Sequence, residues 1–289
     1  MKVLDLFSGI GGFSLGLERA GMETVAFCEF DEHARKVLKK HWPDVPIHND
    51  VRGLNGYEYR GAVDVVCGGF PCQDLSVAGK KAGFDGERSS LYREMLRIIS
   101  ECLPRYAIFE NVTGLLTGES GRWFAQFLYD LASIGYDAEW HCISASELGA
   151  HHHRDRVWII AYPNNYGPTS AKERQSIQER NGSDQEGEKP AEQLEGLHGK
   201  GILANANVQR CEPSAKISHL LKQQIEFVRS RENERGGFNF TEPPLCVTAD
   251  GVSGLPQRRR ARQQLKQLGN AVVPPIPEAI GRAIMEAEA

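Results

Sequence analysis

A single cysteine follows a strand-like apolar run and lies where an enzyme would expose a nucleophile. Cys72 comes directly after residues 62–70 (AVDVVCGGF) and Pro71. Loops at the carboxyl ends of parallel strands usually bind ligands in open α/β sheets, and a thiol becomes nucleophilic where a positive charge or helix terminus favours the thiolate. Most lone cysteines are buried fillers of a core. The glycines before Cys72 and the polar, glycine-containing residues 73–90 after it favour exposure and a loop that closes over a substrate.

An acidic residue and two arginines have the positions to complete such a site. Glu110 ends the next predicted strand (RYAIFENV), so it would lie beside Cys72 at the sheet edge. Burial there would raise its pKa and let it act as an acid, whereas an isolated glutamate is otherwise a helix cap or an ion-pair partner. Arg154 and Arg156 alternate along a strand with Asp155 on the other face, and paired guanidiniums suit an oxygen or phosphate ligand.

A glycine turn joins the first predicted strand to the first helix. Gly9, Gly11 and Gly12 in DLFSGIGGF would let the backbone turn tightly and approach a ligand. A dinucleotide fingerprint requires a further glycine where Ser14 stands, and no basic residue is placed for a phosphate. A tight turn without a ligand is the simpler alternative.

Two carboxylates end the next two predicted strands. Glu29 follows the turn by about 20 positions, as expected for a residue that binds ribose hydroxyls, and Asp50 is placed to meet an adenine amino group. The combination favours a nucleoside without phosphates over NAD, and S-adenosylmethionine is such a ligand.

Strand-like and helical patterns alternate through the first 160 residues. KVLDLFS, TVAFCEF, PIHND, AVDVVCGG, RYAIFENV, AEWHCISA and RVWIIAY read as strands, with helical patterns between most of them. Near-continuous apolar strands such as VDVVC fit burial on both faces. The pattern predicts an α/β protein with a doubly wound, mostly parallel sheet.

Composition changes after about residue 162 and divides the chain into three parts. Residues 167–200 are rich in Glu, Gln, Lys, Ser and Gly, which predicts a flexible segment. We expect a cofactor-binding and catalytic domain at 1–164, a smaller irregular region at 165–262, and a segment at 263–289 that returns to the first domain through a helix begun by proline.

Charge and cysteine usage exclude some classes of protein. The net charge of the 289 residues is −4, so the whole molecule is not a basic nucleic-acid binder, although QRRRARQQLK (257–266) carries five cations and no anion. The seven cysteines form no CxxC pair, and the histidines at 151–153 have no acidic or cysteine partner at ligand spacing, so we expect reduced thiols and no metal. The N-terminus does not resemble a secretory signal, and no apolar stretch approaches a membrane span; we expect a cytoplasmic, nucleoid-associated protein.

These motifs together resemble the cytosine-C5-specific DNA methyltransferases. DLFSGIGGF resembles the cofactor loop of that family, GGFPCQ the nucleophile motif, ENV the acid motif, HHHRDR the arginine motif, and QLGNAVVPP (267–275) the late motif that returns to the cofactor pocket. Five motifs in this order cover nearly the whole chain. In the arginine motif, His152 stands where the family usually has Gln. The segment PPLCVTADG, which precedes the terminal helix, matches the usual pattern of the family only loosely.

The resemblance implies a fold and a role for each matching position. The fold would be the Rossmann-like fold of the S-adenosylmethionine methyltransferases, with a smaller target-recognition domain. Cys72 would attack C6 of a flipped cytosine, Glu110 would hold or protonate N3, Arg156 would bind O2, and Arg154 would order the site. The implied cofactor is S-adenosyl-L-methionine. Its pocket would be lined by Phe7, Gly9, Ile10, Gly12, Glu29, Asp50, Val51, Pro71, Leu91, Asn270 and Ala271.

The implied reaction explains why this set of groups is needed. C5 of cytosine is a poor nucleophile, and addition of a thiolate at C6 with a proton at N3 converts the ring to an enamine. The base must leave the duplex first, at a cost of a few kcal/mol. Target reading is expected in residues 165–262, facing the major groove. Expected DNA contacts are Gln73, Ser76, Arg229, Arg231, Arg235, Arg258, Arg259 and Arg260.

The expected partner is double-stranded DNA, and the resemblance allows a cognate restriction endonuclease as a second one. We expect a monomer that does not bind membranes. Three other functions remain open from the sequence: a C5 methyltransferase acting on RNA such as tRNA, a nucleotide-dependent dehydrogenase, and a non-catalytic DNA-binding regulator. The missing third glycine and the presence of Cys72 with Glu110 oppose the dehydrogenase, and a complete catalytic set opposes the regulator.

Overall fold

The computed structural model describes residues 1–71, 91–150, 152–164, 215–234 and 267–289. Within these ranges the chain alternates strands and helices as the sequence predicts. A search of the same residues finds no helix long and apolar enough to cross a membrane.

The described strands form one seven-stranded sheet in the order β3-β2-β1-β4-β5-β7-β6. Strands β1 to β5 pair in parallel, while β7 is antiparallel to both β5 and β6. The prediction of a mostly parallel, doubly wound sheet is therefore confirmed. The strands are β1 (Lys2–Leu6), β2 (Glu23–Cys28), β3 (Ile47–His48), β4 (Val65–Gly68), β5 (Tyr106–Val112), β6 (Tyr136–Ser144) and β7 (Asp155–Pro163).

Two of the described helices begin where the sequence supplies a start signal. The Asp31 side chain accepts hydrogen bonds from the backbone N–H groups of His33 and Ala34 and so caps α2. Pro275 occupies the first turn of the last helix, where its missing N–H costs nothing. The helices are α1 (Gly12–Arg19), α2 (Glu32–His41), α3 (Leu91–Cys102), α4 (Gly114–Thr117), α5 (Arg122–Ser133), α6 (Ala215–Glu234) and α7 (Pro275–Ala287).

Side chains that alternate along the strands build a hydrophobic core on each face of the sheet. Val66 of β4 faces one core, which contains the apolar residues of α3 and α5. Its neighbours Val65 and Cys67 face the other core, which α1, α6 and α7 cover. Both faces of the parallel strands are thus buried, which accounts for their near-continuous apolar sequences.

Glycines allow α1 and α7 to pack closely together. A Cβ atom on Gly12 would overlap the Val272 carbonyl oxygen, and one on Gly16 would overlap that of Pro274. Gly281 faces Ala20 from the other side of the same contact. The missing side chain of Gly12 makes room for the returning C-terminal segment, whereas the sequence analysis expected it to make room for a ligand.

Helix α6 lies against the first domain, although its residues fall within the range expected to form the smaller region. Ile217, Leu221 and Val228 are buried in the same core as α1 and α7. At least this part of residues 165–262 therefore shares a core with residues 1–164.

An ion-pair cluster joins α6 to α7. Arg231 donates to both carboxylate oxygens of Glu278, including a 2.6 Å bond from Nη2 to Oε2, and Arg282 donates to Oε1 at 3.0 Å. Glu278 is completely buried, and the Arg231 side chain is only 20% exposed. The expected DNA contact at Arg231 does not agree with this placement, because its guanidinium is already bound to Glu278 and to Glu232.

Candidate active site

The acid and one arginine of the predicted site meet at the carboxyl edge of the sheet. Glu110 lies near the end of β5, and Arg156 lies near the start of the adjacent antiparallel strand β7. Because the two strands run in opposite directions, the end of one lies beside the start of the other. The Arg156 Nε atom lies 2.9 Å from Glu110 Oε1, and both side chains are largely buried.

The pKa of Glu110 is raised from its ordinary value. Burial is the main cause, because it disfavours the charged carboxylate. The charges of Arg156 and Arg154 and the hydrogen bond from Arg156 oppose the shift without cancelling it. This direction agrees with the predicted role of Glu110 as a group that can hold a proton.

The backbone leading to Cys72 runs directly past Glu110. A Cβ atom built on Gly69 would lie 3.0 Å from Glu110 Oε2, so a side chain at this position would crowd that oxygen. The buried Asn111 donates from Nδ2 to the Phe70 carbonyl oxygen at 3.2 Å and ties this segment to β5. Pro71 is half-buried at the end of the described segment, and Cys72, Gln73 and Ser76 lie outside the described residues.

Arg154 connects this edge to the late motif. Its Nη1 atom donates to the Gly269 carbonyl oxygen at 2.5 Å, across 115 residues of sequence. Asn270 is exposed and Ala271 half-buried immediately after this contact. Burial and the nearby charge of Arg156 lower the pKa of Arg154 from its ordinary value, and the charge of Glu110 opposes this shift.

The glycine turn has a strained backbone and an open side. Phe7 and Gly9 both have φ near 54°, a left-handed conformation that is unusual for phenylalanine. A Cβ atom on Gly9 would have no neighbour within 4 Å, so Gly9 borders open space. Gly11, with φ of 88°, instead packs against Trp42. Of the three glycines in the turn, Gly9 is the one that borders open space.

Glu29 lies across this turn. Its Oε2 atom accepts a hydrogen bond from the Gly9 N–H at 2.7 Å, and Oε1 accepts one from Asp31 at the same distance. A carboxylate oxygen has further lone pairs, so these bonds orient Glu29 and leave acceptor capacity for hydroxyl groups.

Asp50 is half-buried and lies two residues beyond the end of β3. Its carboxylate accepts hydrogen bonds from the backbone and the guanidinium of Arg52, at 2.7 to 3.2 Å. Those bonds to Arg52 lower the pKa of Asp50, so the group is an anion at neutral pH. Of the other predicted cofactor residues, Phe7, Ile10 and Leu91 are half-buried and Val51 is buried.

A buried carboxyl group, that of Asp5, binds Ser14, which directly follows the glycine turn. Asp5 accepts a 2.7 Å hydrogen bond from the Ser14 hydroxyl group at Oδ2, while its Oδ1 atom has no partner. Burial raises the pKa of Asp5 to about 7, with a further contribution from the charge of Glu29. The sequence analysis missed this group, although an aspartate inside an apolar strand was a visible signal.

The sequence analysis also missed an aromatic ring beside Glu29. Phe30 is 74% exposed, which is high for a phenylalanine, at the edge where the carboxylates lie. Arg35 of α2 donates to the carbonyl oxygens of Glu29 and Phe30, at 3.1 and 2.5 Å, and fixes the turn that carries both. An aromatic residue directly after an acidic strand end was the available signal.

The remaining predicted DNA contacts divide into two groups. Arg229 is exposed on α6, on a different face from the bound Arg231. Arg235, Arg258, Arg259 and Arg260 lie outside the described residues.

His151 is also outside them, and the described residues contain no group of acidic, histidine or cysteine side chains able to hold a metal ion.

The sheet order and the acid–arginine pair at its carboxyl edge define a class: a doubly wound α/β protein with the Rossmann-like fold of the methyltransferases. A family model described as C-5 cytosine-specific DNA methylase matches residues 1–241. Because that match covers most of the chain, the protein belongs to the C-5 cytosine-specific DNA methylase family.

Known relatives match a little over half of the chain's length. The type II methyltransferase M.Eco47II of Escherichia coli is 40% identical over 164 residues, 56% of this chain and 39% of the relative. M2.BsuMI of Bacillus subtilis (strain 168), also a type II methyltransferase, is 38% identical over 165 residues, 56% of this chain and 42% of the relative. This chain therefore matches about two fifths of the length of these relatives.

Solved structures include similar chains. A DNA modification methyltransferase encoded within an E. coli prophage is 29% identical, with a TM-score of 0.49 over 60% of this chain and 49% of that one.

Proposed function

We propose that this chain is a DNA (cytosine-5-)-methyltransferase that acts on cytosine in a specific duplex sequence. The observation that supports this most directly is the buried Glu110, which has a raised pKa, bonds Arg156 and lies beside the backbone that leads to Cys72. A nucleophile, a proton-holding acid and a fixed cation at one sheet edge are the groups that covalent activation of a pyrimidine needs.

The residues of the glycine turn suit an adenosyl cofactor. Gly9 borders open space, Glu29 offers carboxylate oxygens, and the exposed Phe30 ring offers an apolar surface for a base. The turn carries no lysine or arginine for a phosphate. We assign S-adenosyl-L-methionine to this site, with Phe7, Gly9, Glu29, Phe30 and Asp50 as holding residues, and when bound it supplies an electrophilic methyl group.

The residues of the chain perform the remaining steps. The Cys72 thiolate adds to C6 of the cytosine, and Glu110 holds a proton at N3 so that the ring accepts the electrons. Arg156 binds the O2 atom and also keeps Glu110 in place. Once C5 carries the methyl group, loss of the C5 proton to a base breaks the C6–S bond, releases the Cys72 thiolate and restores the aromatic ring. Removing the base from the duplex beforehand costs a few kcal/mol.

Target selection and partners form the second part of the proposal. We assign target reading to residues 165–262 outside the α6 core contacts, with Arg229, Arg235 and the arginines at 258–260 as candidate contacts. Double-stranded DNA is the substrate, and a cognate restriction endonuclease is a compatible partner of a monomeric, nucleoid-associated enzyme.

Expression in a host that lacks C5 methylation tests the activity and the target together. Bisulfite sequencing of host DNA should reveal 5-methylcytosine within one short sequence. The Cys72→Ala variant should give none while retaining the thermal unfolding transition of the wild type. Genomic methylation by Cys72→Ala at the wild-type level would falsify the covalent mechanism.

An assay with purified protein distinguishes the proposed DNA substrate from the RNA alternative. Methyl incorporation into duplex DNA should exceed incorporation into tRNA under identical conditions. The opposite preference would reassign the substrate to RNA while leaving the roles of Cys72 and Glu110 in place.

A further inference from the structure

Arg97 lies outside every predicted set of site residues, yet it binds the backbone next to Asp50. Its Nη2 atom donates to the Val51 carbonyl oxygen at 3.0 Å, and its Nη1 atom donates to the Leu54 carbonyl oxygen at 3.0 Å. These two carbonyls bracket the short 3₁₀ helix Val51–Gly53, whose N-cap is Asp50. One guanidinium on α3 therefore holds both ends of the turn that begins at Asp50.

Two carboxylates hold Arg97 itself in place. Glu94 accepts from its Nε atom at 2.9 Å, and Glu101 accepts from Nη1 at 2.9 Å with both oxygens. Glu101 also accepts the Gly56 N–H at 2.8 Å, which ties the following turn to the same helix. The guanidinium has little freedom left, so the turn at 51–54 has a fixed position relative to α3.

We propose that Arg97 is a positioning residue, which fixes the turn after Asp50 so that the Asp50 carboxylate can select adenine through its 6-amino group. This inference rests on the proposed adenosyl cofactor. The Asp50 side chain is 36% exposed and its carboxylate binds the neighbouring Arg52, so this local contact does not anchor Asp50 to the core. Arg97 supplies that anchor across 46 residues of sequence.

The chemistry requires arginine at this position. A planar guanidinium donates in several fixed directions and reaches two carbonyls and two carboxylates at once, whereas a lysine ammonium is a point charge on a flexible stem. Arg97→Lys keeps the positive charge but cannot donate hydrogen bonds to the Val51 and Leu54 carbonyl oxygens at the same time. The turn should then move by a fraction of an ångström, enough to weaken a hydrogen bond that depends on position.

The test measures ligand preference without DNA and without turnover. Isothermal titration calorimetry compares the binding of S-adenosylhomocysteine with that of its analogue lacking the 6-amino group. In the wild type, the charged hydrogen bond to Asp50 should give about a tenfold preference for the amino compound. Arg97→Lys should reduce that preference to about threefold or less, and in the Asp50→Ala background the same change should have little further effect.

Arg35→Lys is the matched control. Arg35 also donates to two backbone carbonyls, but on the turn that carries Glu29. This variant should keep the 6-amino preference and instead lose preference against an analogue lacking the ribose 2′-hydroxyl group. Equal weakening of all analogues by Arg97→Lys, or an effect that adds fully to Asp50→Ala, overturns the inference and leaves Arg97 a purely structural residue.

Two further outcomes keep the test decisive. A wild type that binds S-adenosylhomocysteine but shows no 6-amino preference overturns this inference alone. A wild type that binds neither compound overturns the proposed cofactor as well. If Arg97→Lys does not fold, Glu101→Gln replaces it, because it weakens the hold on Arg97 and should reduce the preference in the same direction by about twofold to threefold.

Discussion

Glu110 and Glu278 are both largely buried glutamates with two arginines nearby, but their proton affinities change in opposite directions. Burial raises the pKa of Glu110, and the nearby Arg156 and Arg154 do not reverse the shift. Burial also acts to raise the pKa of Glu278, but hydrogen bonds from Arg231 and Arg282 outweigh it, so that the pKa is lowered. At a given pH, Glu110 therefore holds its proton more readily than Glu278 does.

The difference lies in how the arginines are used. Glu278 accepts bonds at both oxygens from Arg231 and another at Oε1 from Arg282. Glu110 has an ion pair with Arg156 at one oxygen, while Arg154 donates to the Gly269 carbonyl oxygen. Diverting one arginine to a backbone carbonyl leaves Glu110 with less compensation for its lost hydration. The same residue types thus give a carboxyl group with a raised pKa at the sheet edge and a structural clamp between two helices.

The largest expected effect is on activity at the sheet edge. Glu110→Gln keeps the shape of the side chain but removes the acid, and it should lower kcat by about 10²- to 10⁴-fold. Because the acid form is the active one, wild-type activity should decline as the pH rises through the raised pKa of Glu110, and the variant should lose that limb. Radiolabelled methyl transfer across a pH series is the measurement, and a variant with wild-type kcat would remove Glu110 from the mechanism.

Asp5 extends the comparison to a buried carboxyl group that binds a serine hydroxyl group in place of an arginine. Its pKa is about 7 in the folded protein and 3.8 in its ordinary state. Between these values the unfolded chain is ionised while the native state keeps the proton, so stability should fall as the pH rises, by up to about 1.4 kcal/mol per pH unit. Urea unfolding from pH 4 to 8 should show this slope, and Asp5→Asn should flatten it; an unchanged slope in Asp5→Asn would contradict the assignment.

Arg231→Met should destabilise the protein, because it breaks the ion-pair cluster that joins α6 to α7. Removing one partner of a buried pair leaves an incompletely compensated Glu278, and with Arg282 still bound the loss should be about 2–3 kcal/mol at neutral pH. Because the pKa of Glu278 lies below its ordinary 4.5, the stabilisation is present above that pH and is lost as the pH falls. The gap between variant and wild type, measured by urea unfolding, should therefore narrow in acid; a gap that widens there would break the comparison.

Arg229→Met is the smallest expected effect and the control for the same helix. Arg229 is exposed, so its replacement should change stability by no more than about 0.5 kcal/mol. If Arg229 contacts phosphates, the variant should instead bind DNA more weakly and with a shallower salt dependence. An unchanged salt slope would leave Arg229 as a solvated surface residue.

The glycine turn shows where sequence patterns stop being informative. Gly9, Gly11 and Gly12 look equivalent in DLFSGIGGF, since each lacks a side chain in a strand-to-helix turn. In the structure Gly9 faces open space, Gly11 faces Trp42, and Gly12 faces the backbone of Val272. No local pattern contains the position of residue 272, so only the packed chain assigns the three roles.

The sequence by itself determined the order of strands and helices, the mostly parallel sheet, and the placement of Glu110 and Arg156 at one edge, because periodicity and strand ends are local properties. The tertiary structure alone decided which acceptor group each arginine binds. Arg231 meets Glu278 across 47 residues, and Arg154 meets Gly269 across 115. Such pairings depend on how distant elements pack, and that packing sets the burial and hydrogen bonds that make one glutamate an acid and the other an anion.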